Sequence, residues 1–320
     1  METQMKLQGL IISLRELNIA KEEDNERFVM EDGLTELLDG LYRYGVQIVN
    51  LDMFGADNGE KLLTVLNLHS LTPECCLLLA ATDRVLSIIE GMDMAACGYL
   101  NPRIPGQKLS AAKVLVESFE EVDFHFLERV YQREHGLPWT AIETRRCFLR
   151  EITLADLDNL YELYEGKSIT QYMEGLYEER AKEEEYTRAY IENMYYFYGY
   201  GMWLAIDKIT GKLIGRAGLN CLELHGEPAL EMGYVIGEEF QNQGYATELC
   251  REIIHFAQKE TEFDNLHCLI HKDNGISIHL AENLGFSWQE ELKVQGKMLQ
   301  RYTKSLERNR TKSIDIVLDN

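Results

Sequence analysis

Between Gly237 and Ala257 the chain reads GEEFQNQGYATELCREIIHFA. A polar, glycine-punctuated turn passes without a break into a helical pattern whose Leu249, Ile253 and Phe256 keep one face apolar. The chemistry this spacing serves is anion binding. Consecutive backbone N–H groups of Gln241, Asn242, Gln243, Gly244, Tyr245, Ala246 and Thr247 converge at a helix mouth, where the dipole also favours negative charge. Gly244 allows the backbone to approach a phosphate closely, and Ala246 keeps the first helical turn uncrowded. QxxGxA alone is a common pattern. Here it follows the strand-like LEMGYVI and precedes, about thirty residues on, DNGISIHLAENLGF, and this three-part order is far more specific.

The elements that position this turn are legible around it. FLREI starts as a strand at Phe148, and Thr153 caps the acidic-led helix LADLDNLYELYE. MWLAID, LIGRAGLNCLEL and ALEMGYVIG, separated by the turns TGK and HGEP, form an antiparallel meander. The helix after Gly244, a strand LHCLIHK, the helix NGISIHLAENLG and a strand region FSWQEELKV complete a mixed, mostly antiparallel α+β layer. The first half differs. LQGLIISL, GVQIVNL, CCLLLAA and KVLVES read as buried strands, alternating with helical patterns in DGLTELLDGLYRYG, DRVLSIIEGM and EEVDFHFLERVYQREHG, which predicts a parallel α/β sheet. LPWTAIETRR is the expected linker. The domains expected are 1–142, 143–306 and a tail over 307–320.

Composition narrows the function classes. The 320 residues hold 32 Lys and Arg against 54 Asp and Glu, a net charge of −22, which repels nucleic-acid phosphates. No apolar run reaches the ~18 residues a membrane span needs, and METQMKLQGLIISLREL lacks secretory-signal features, so a cytoplasmic protein with no membrane partner is expected. The seven cysteines show no CxxC spacing and suit reduced core thiols. His267 and His271 share strand spacing, but no second ligand pair accompanies them, and no metal site is read.

With the turn, the strand before it and the later helix in hand, the segment from about Phe148 to Thr303 resembles the GNAT superfamily of acyl-CoA-dependent N-acyltransferases. It is most similar to the branch of ribosomal-protein N-terminal acetyltransferases and related polyamine and antibiotic acetyltransferases. The resemblance implies that Gln241, Gly244 and Ala246 hold the pyrophosphate of acetyl-CoA. It implies that Tyr234, Val235 and Ile236 splay from the neighbouring strand to meet the pantetheine arm, and that Asn274 and Ser277 touch the coenzyme. It further implies transfer of an acetyl group to a primary amine of a small cationic molecule or a peptide N-terminus. The amine must lose a proton, attack a thioester and pass through an oxyanion. Glu231 is the candidate base acting through water, and a backbone N–H near Val235 the oxyanion donor. Cys250 and Cys268 are then packing residues, since no acyl-enzyme is needed. The tyrosine that many relatives use as general acid falls here at Ala281, leaving that role unassigned and keeping open a non-catalytic acyl-CoA sensor or scaffold. Ten of the 17 tyrosines lie from Tyr161 to Tyr200, amid nine Glu between Glu162 and Glu192, a lining suited to a cationic amine.

The first half resembles haloacid-dehalogenase-like (HAD) phosphatases, without a cap. GLIISLREL places Ser13 and Arg15 where those enzymes carry their two aspartates, Asn50 stands for their Ser/Thr, and LAATDRVLSIIEGMDM keeps Asp83 without the full acidic pair. An arginine where magnesium would sit reverses the local charge, so the resemblance implies a catalytically silent HAD-like domain used for docking or homodimerisation.

Overall fold

The structure, a computed structural model, describes residues 6–17, 20–21, 28–29, 32–166, 168–294 and 296–307. The expected tail therefore lies outside the described residues from Arg308 onward. The chain forms two compact units, 1–139 and 140–320.

In the first unit the strands are β1 (Gly9–Ile12), β2 (Ala20–Lys21), β3 (Phe28–Val29), β4 (Gln47–Asn50), β5 (Cys76–Ala80), β6 (Ala95–Tyr99) and β7 (Val114–Val116). The helices are α1 (Leu14–Leu17), α2 (Leu34–Arg43), α3 (Leu51–Phe54), α4 (Gly59–Leu68), α5 (Asp83–Leu86) and α6 (Phe124–Glu134). Strands β4-β1-β5-β6-β7 make one all-parallel sheet, and β2–β3 is a separate hairpin. The near-continuous apolar strands follow from burial on both faces. Leu10, Ile12, Leu77 and Leu79 face one core with Leu37 of α2 and Leu127 of α6, while Ile11, Leu78 and Ala80 face another with Leu62 of α4 and Val85 of α5.

In the second unit the strands are β8 (Thr140–Glu143), β9 (Cys147–Arg150), β10 (Met202–Asp207), β11 (Leu213–Leu224), β12 (Glu227–Ile236), β13 (Asn265–Ile270), β14 (Ser287–Val294) and β15 (Lys297–Ser305). The helices are α7 (Leu157–Tyr164), α8 (Arg180–Tyr190), α9 (Tyr245–Glu260) and α10 (Gly275–Asn283), with a π-helical turn Ile191–Tyr196 continuing α8. One sheet runs β14-β15-β13-β12-β11-β10-β9-β8. Every pairing is antiparallel except β12 with β13. Two details differ from the sequence reading. Thr140–Glu143, expected as linker, is an edge strand paired to β9, and β15, unread, inserts between β13 and β14.

The β12–β13 pairing positions the site. The two strands pair only at Leu230 with Leu266 and Glu231 with His267. Beyond that joint Met232–Ile236 keep their ladder to β11 and none to β13, so the sheet opens into a slot. Parallel strands joined by a helix normally stay in register along their length, and such a gap leaves one row of backbone donors and acceptors for another partner.

Candidate active site

At the wide end of the slot lies the turn. Asn242 and Gly244 both adopt left-handed conformations, φ 58° and 79°. Gly244 is the N-cap of α9 and offers no side chain, so no cap accepts from the helix's first N–H groups. A 16-residue helix thus presents unspent donors and its positive dipole end at the turn. That is the donor set a pyrophosphate requires.

Side chains hold the turn in shape. The Gln241 amide donates to the Ile236 carbonyl at 2.9 Å and to Ser168 Oγ at 3.3 Å, tying the turn to the end of β12. Gln243 donates to the Glu239 carbonyl at 2.7 Å, and of the residues from Gln241 to Thr247 it alone does not line the cleft. Its carbonyl accepts from Arg146 Nη1 at 2.9 Å. Arg146 also bonds Glu248 Oε2 through Nε at 2.7 Å and stacks on the Tyr245 ring at 3.9 Å, while the Tyr245 hydroxyl donates to Asp207 at 3.3 Å. Tyr245 therefore has only its backbone N–H to give an anion. The Glu248 carboxyl sits below its ordinary range. Partial burial opposes this, but hydrogen bonds from the Arg146 backbone and Thr144, with the Arg146 guanidinium, outweigh it. Neutralising Glu248 matters because an unpaired carboxylate in the first turn of α9 competes with any phosphate there. Sequence reasoning missed Arg146. It lies about a hundred residues from the turn, and no local pattern marks it.

Along the slot, Tyr234 crosses to α10, its hydroxyl 3.0 Å from Ser277 Oγ. Asn274 caps that helix by accepting from Ser277 N at 3.2 Å. Tyr234, Val235, Ile236, Asn274 and Ser277 thus meet on one cleft of about 910 Å³, and Ala281 is buried at its wall. Cys250 is buried, its thiol pushed up to about 12 by desolvation, and Cys268 is likewise buried and raised. Neither is poised as a thiolate. His267 is held by Thr303 at 2.8 Å, and His271 stacks on Tyr172, so the two histidines do not converge.

Glu231 stands at the joint where the slot begins, in a central strand, and lines the cleft beside Asn220, its cross-strand partner. Desolvation pushes its carboxyl up to about 7, against a hydrogen bond from Asn220 that pulls it down. Over this floor lie α7 and α8. Tyr190 accepts from Met202 N at 2.6 Å, and Tyr195 donates to Met202 O at 2.7 Å, so two of the clustered tyrosines are tied to one backbone residue. Tyr164, Tyr186 and Arg216 complete this side.

Residues 146–287 match the family of the acetyltransferase (GNAT) domain. YkkB of Bacillus subtilis (strain 168), an uncharacterised protein, is 28% identical over 167 residues, 51% of this chain and 94% of that protein. An uncharacterised N-acetyltransferase, p20 of Bacillus licheniformis, is 24% identical over 170 residues, 52% of this chain and 95% of its own length. Among solved structures, a ribosomal L7/L12 alpha-N-protein acetyltransferase in complex with coenzyme A is 16% identical over 52% of this chain and 98% of that one, TM-score 0.44. The C-terminal half carries a GNAT acetyltransferase domain. The enzyme is an acetyl-CoA-dependent N-acetyltransferase, with acetyl-CoA as cosubstrate.

Proposed function

We propose that the C-terminal unit acetylates a primary amine, of a small molecule or of a peptide N-terminus, with Glu231 as the base. The observation that carries this reading is the position of Glu231, at the joint of the β12–β13 slot and inside the cleft, with its carboxyl held at about 7. A base of that strength is half ionised at neutral pH and matched to taking a proton from an ammonium through water. Acetyl-CoA brings the activated acyl group. The N–H groups from Gln241 to Thr247 take its pyrophosphate, and Tyr234, Val235 and Ile236 offer the free edge of β12 to its arm. Asn274 and Ser277 close the far wall, and a backbone N–H near Val235 is the donor for the oxyanion. Ala281 has no proton to give, so the departing thiolate takes its proton elsewhere.

The N-terminal unit, in this reading, is a HAD-like fold without phosphatase chemistry. Ser13 Oγ donates to Asp52 Oδ1 at 3.0 Å, Arg15 N donates to Asp52 Oδ2 at 2.9 Å, and Asp83 accepts from Lys108 N at 3.3 Å. A serine spent on a neighbouring carboxylate does not replace an aspartyl nucleophile.

The test is thiol release from acetyl-CoA against polyamines, aminoglycosides, amino acids and basic peptides, alongside calorimetric acetyl-CoA binding. Turnover with an amine is expected. Binding without turnover on any acceptor would leave the acyl-CoA sensor as the function, and failure to bind would remove both.

A further inference from the structure

The acceptor half of the cleft contains a cation without a counter-ion. Arg216 lies on β11 opposite Val235, on the sheet face it shares with Asn220 and Glu231. It lines the cleft, and among the described residues no carboxylate pairs with it. The titratable groups that act on it most are the neutral phenols of Tyr164, Tyr190 and Tyr195, and its guanidinium lies 5.2 Å from the Tyr190 ring. Its Nε is buried with no partner. Acidic groups that line the same cleft have other partners. Glu183 accepts from Tyr177 N at 2.9 Å and Thr187 Oγ1 at 3.4 Å, and Asn220 donates to Glu231.

A guanidinium cannot shed its proton, and burying one without an anion is costly. In a chain of net charge −22, leaving an arginine on the floor of a cleft without a carboxylate is not for want of acidic residues. A missing partner that is supplied from outside accounts for it. The floor between Arg216 and Glu231 fits that occupant. The cross-strand pairs on this face run Arg216–Val235, Gly218–Gly233 and Asn220–Glu231. The middle pair carries no side chains, and the Met202 thioether lies over it, 3.5 Å from where a Gly233 Cβ would stand. The cleft floor is thus cation, apolar platform and base in sequence. The Cα positions of the end pairs are four residues apart, roughly 13 Å at strand rise before the two side chains reach inward.

We infer that the acceptor carries a carboxylate as well as its amine: the carboxylate docks on Arg216, the carbon chain crosses Met202, and the amine meets Glu231. This rests on the acyltransferase reading and narrows its acceptor to an amino-acid-like molecule. The planar fork of Arg216 suits a carboxylate, which it can grip with two parallel hydrogen bonds.

The experiment uses the full chain and matched probes: 5-aminopentanoate, pentylamine, 1,5-diaminopentane, lysine, lysinamide and an aminoalkylphosphonate. The wild-type protein should acetylate each carboxylate at a kcat/KM at least tenfold above its matched amine or amide. Arg216→Met should remove that preference by raising KM, leaving pentylamine within threefold, and Arg216→Lys should restore part of it. Calorimetry adds a readout free of turnover. With acetyl-CoA present, pentanoate should bind wild type and lose at least tenfold in Arg216→Met, while acetyl-CoA affinity stays within twofold. Equal use of matched pairs, absence of pentanoate binding, a preference for the phosphonate, or a loss of acetyl-CoA affinity in Arg216→Met would each overturn the proposal. If Arg216→Met does not fold, the Arg216→Lys comparison decides alone, with unchanged carboxylate preference refuting it. Failure of the acyltransferase reading looks different, because acetyl-CoA itself then does not bind to the wild type.

Discussion

Replacing Glu231 by Gln preserves shape and removes basicity, and the structure supplies two magnitudes for it. The first is kinetic. Loss of a positioned base costs roughly 10² to 10⁴ in rate. The acid limb of wild-type kcat/KM should follow ionisation of a group at about 7, and that limb should vanish in the variant, with acetyl-CoA affinity little changed. The second is thermodynamic. Raising the carboxyl from its ordinary 4.5 to about 7 makes ionising it in the folded protein about 3 kcal/mol harder than in the open chain. This is an upper value, since water reaches one side of the group. A raised folded value contributes stability that is fully present below 4.5 and is lost as the pH climbs through about 7. Glu231→Gln lacks this term. Its melting temperature relative to wild type should therefore rise between pH 4 and pH 8.5, by up to ~10 °C for a unit of this size. Calorimetric melting across that range and initial rates on one accepted amine are the assays. A variant with the wild-type rate and pH profile, whose melting difference is flat with pH, would refute both the basicity and the burial argument.

Gly244→Val forces a branched side chain into a φ of 79° and crowds the donor turn, so calorimetric acetyl-CoA affinity should fall at least tenfold in a protein that still folds. Arg146→Met frees the Glu248 carboxylate beside the turn and should weaken acetyl-CoA binding about fivefold or more; a further Glu248→Gln change should recover most of that loss, which a purely steric defect would not allow. The N-terminal unit should hydrolyse no aryl phosphate with added magnesium, and any magnesium-dependent turnover abolished by Ser13→Ala would show a live site there.

The elements of the C-terminal unit were legible where apolar spacing was regular, as in LIGRAGLNCLEL, which is strand from end to end. The turn was legible because its glycine and its helix are neighbours in sequence. KMLQRYTKS was not, because β15 alternates weakly and carries three basic residues. AACGY of β6 was missed since small residues suffice where Leu115 and Leu109 pack over Gly98. The character of Glu231 was beyond reach for another reason. A single carboxylate on a strand says nothing of what surrounds it, and here the cleft it lines is walled by tyrosines distant in sequence, Tyr190 among them, which accepts from the Met202 backbone. Arg216 was invisible for the same reason: its significance is the absence of an anion around it, which only the packed structure displays.

The two-residue joint between β12 and β13 has a mechanical consequence. Three strands, β14, β15 and β13, join the ladder of the rest of the sheet through those two pairs, with the Tyr234–Ser277, His225–Glu290 and Tyr172–Asp273 contacts among the other ties. Such a seam is where a cooperative folding unit divides, and amide exchange should distinguish the two sides. A ligand lying in the slot would bridge them as a missing strand would, so the cosubstrate would serve as a stitch as well as a reactant. The protein filled with coenzyme should then melt as one sheet, and the empty one should open first along this seam.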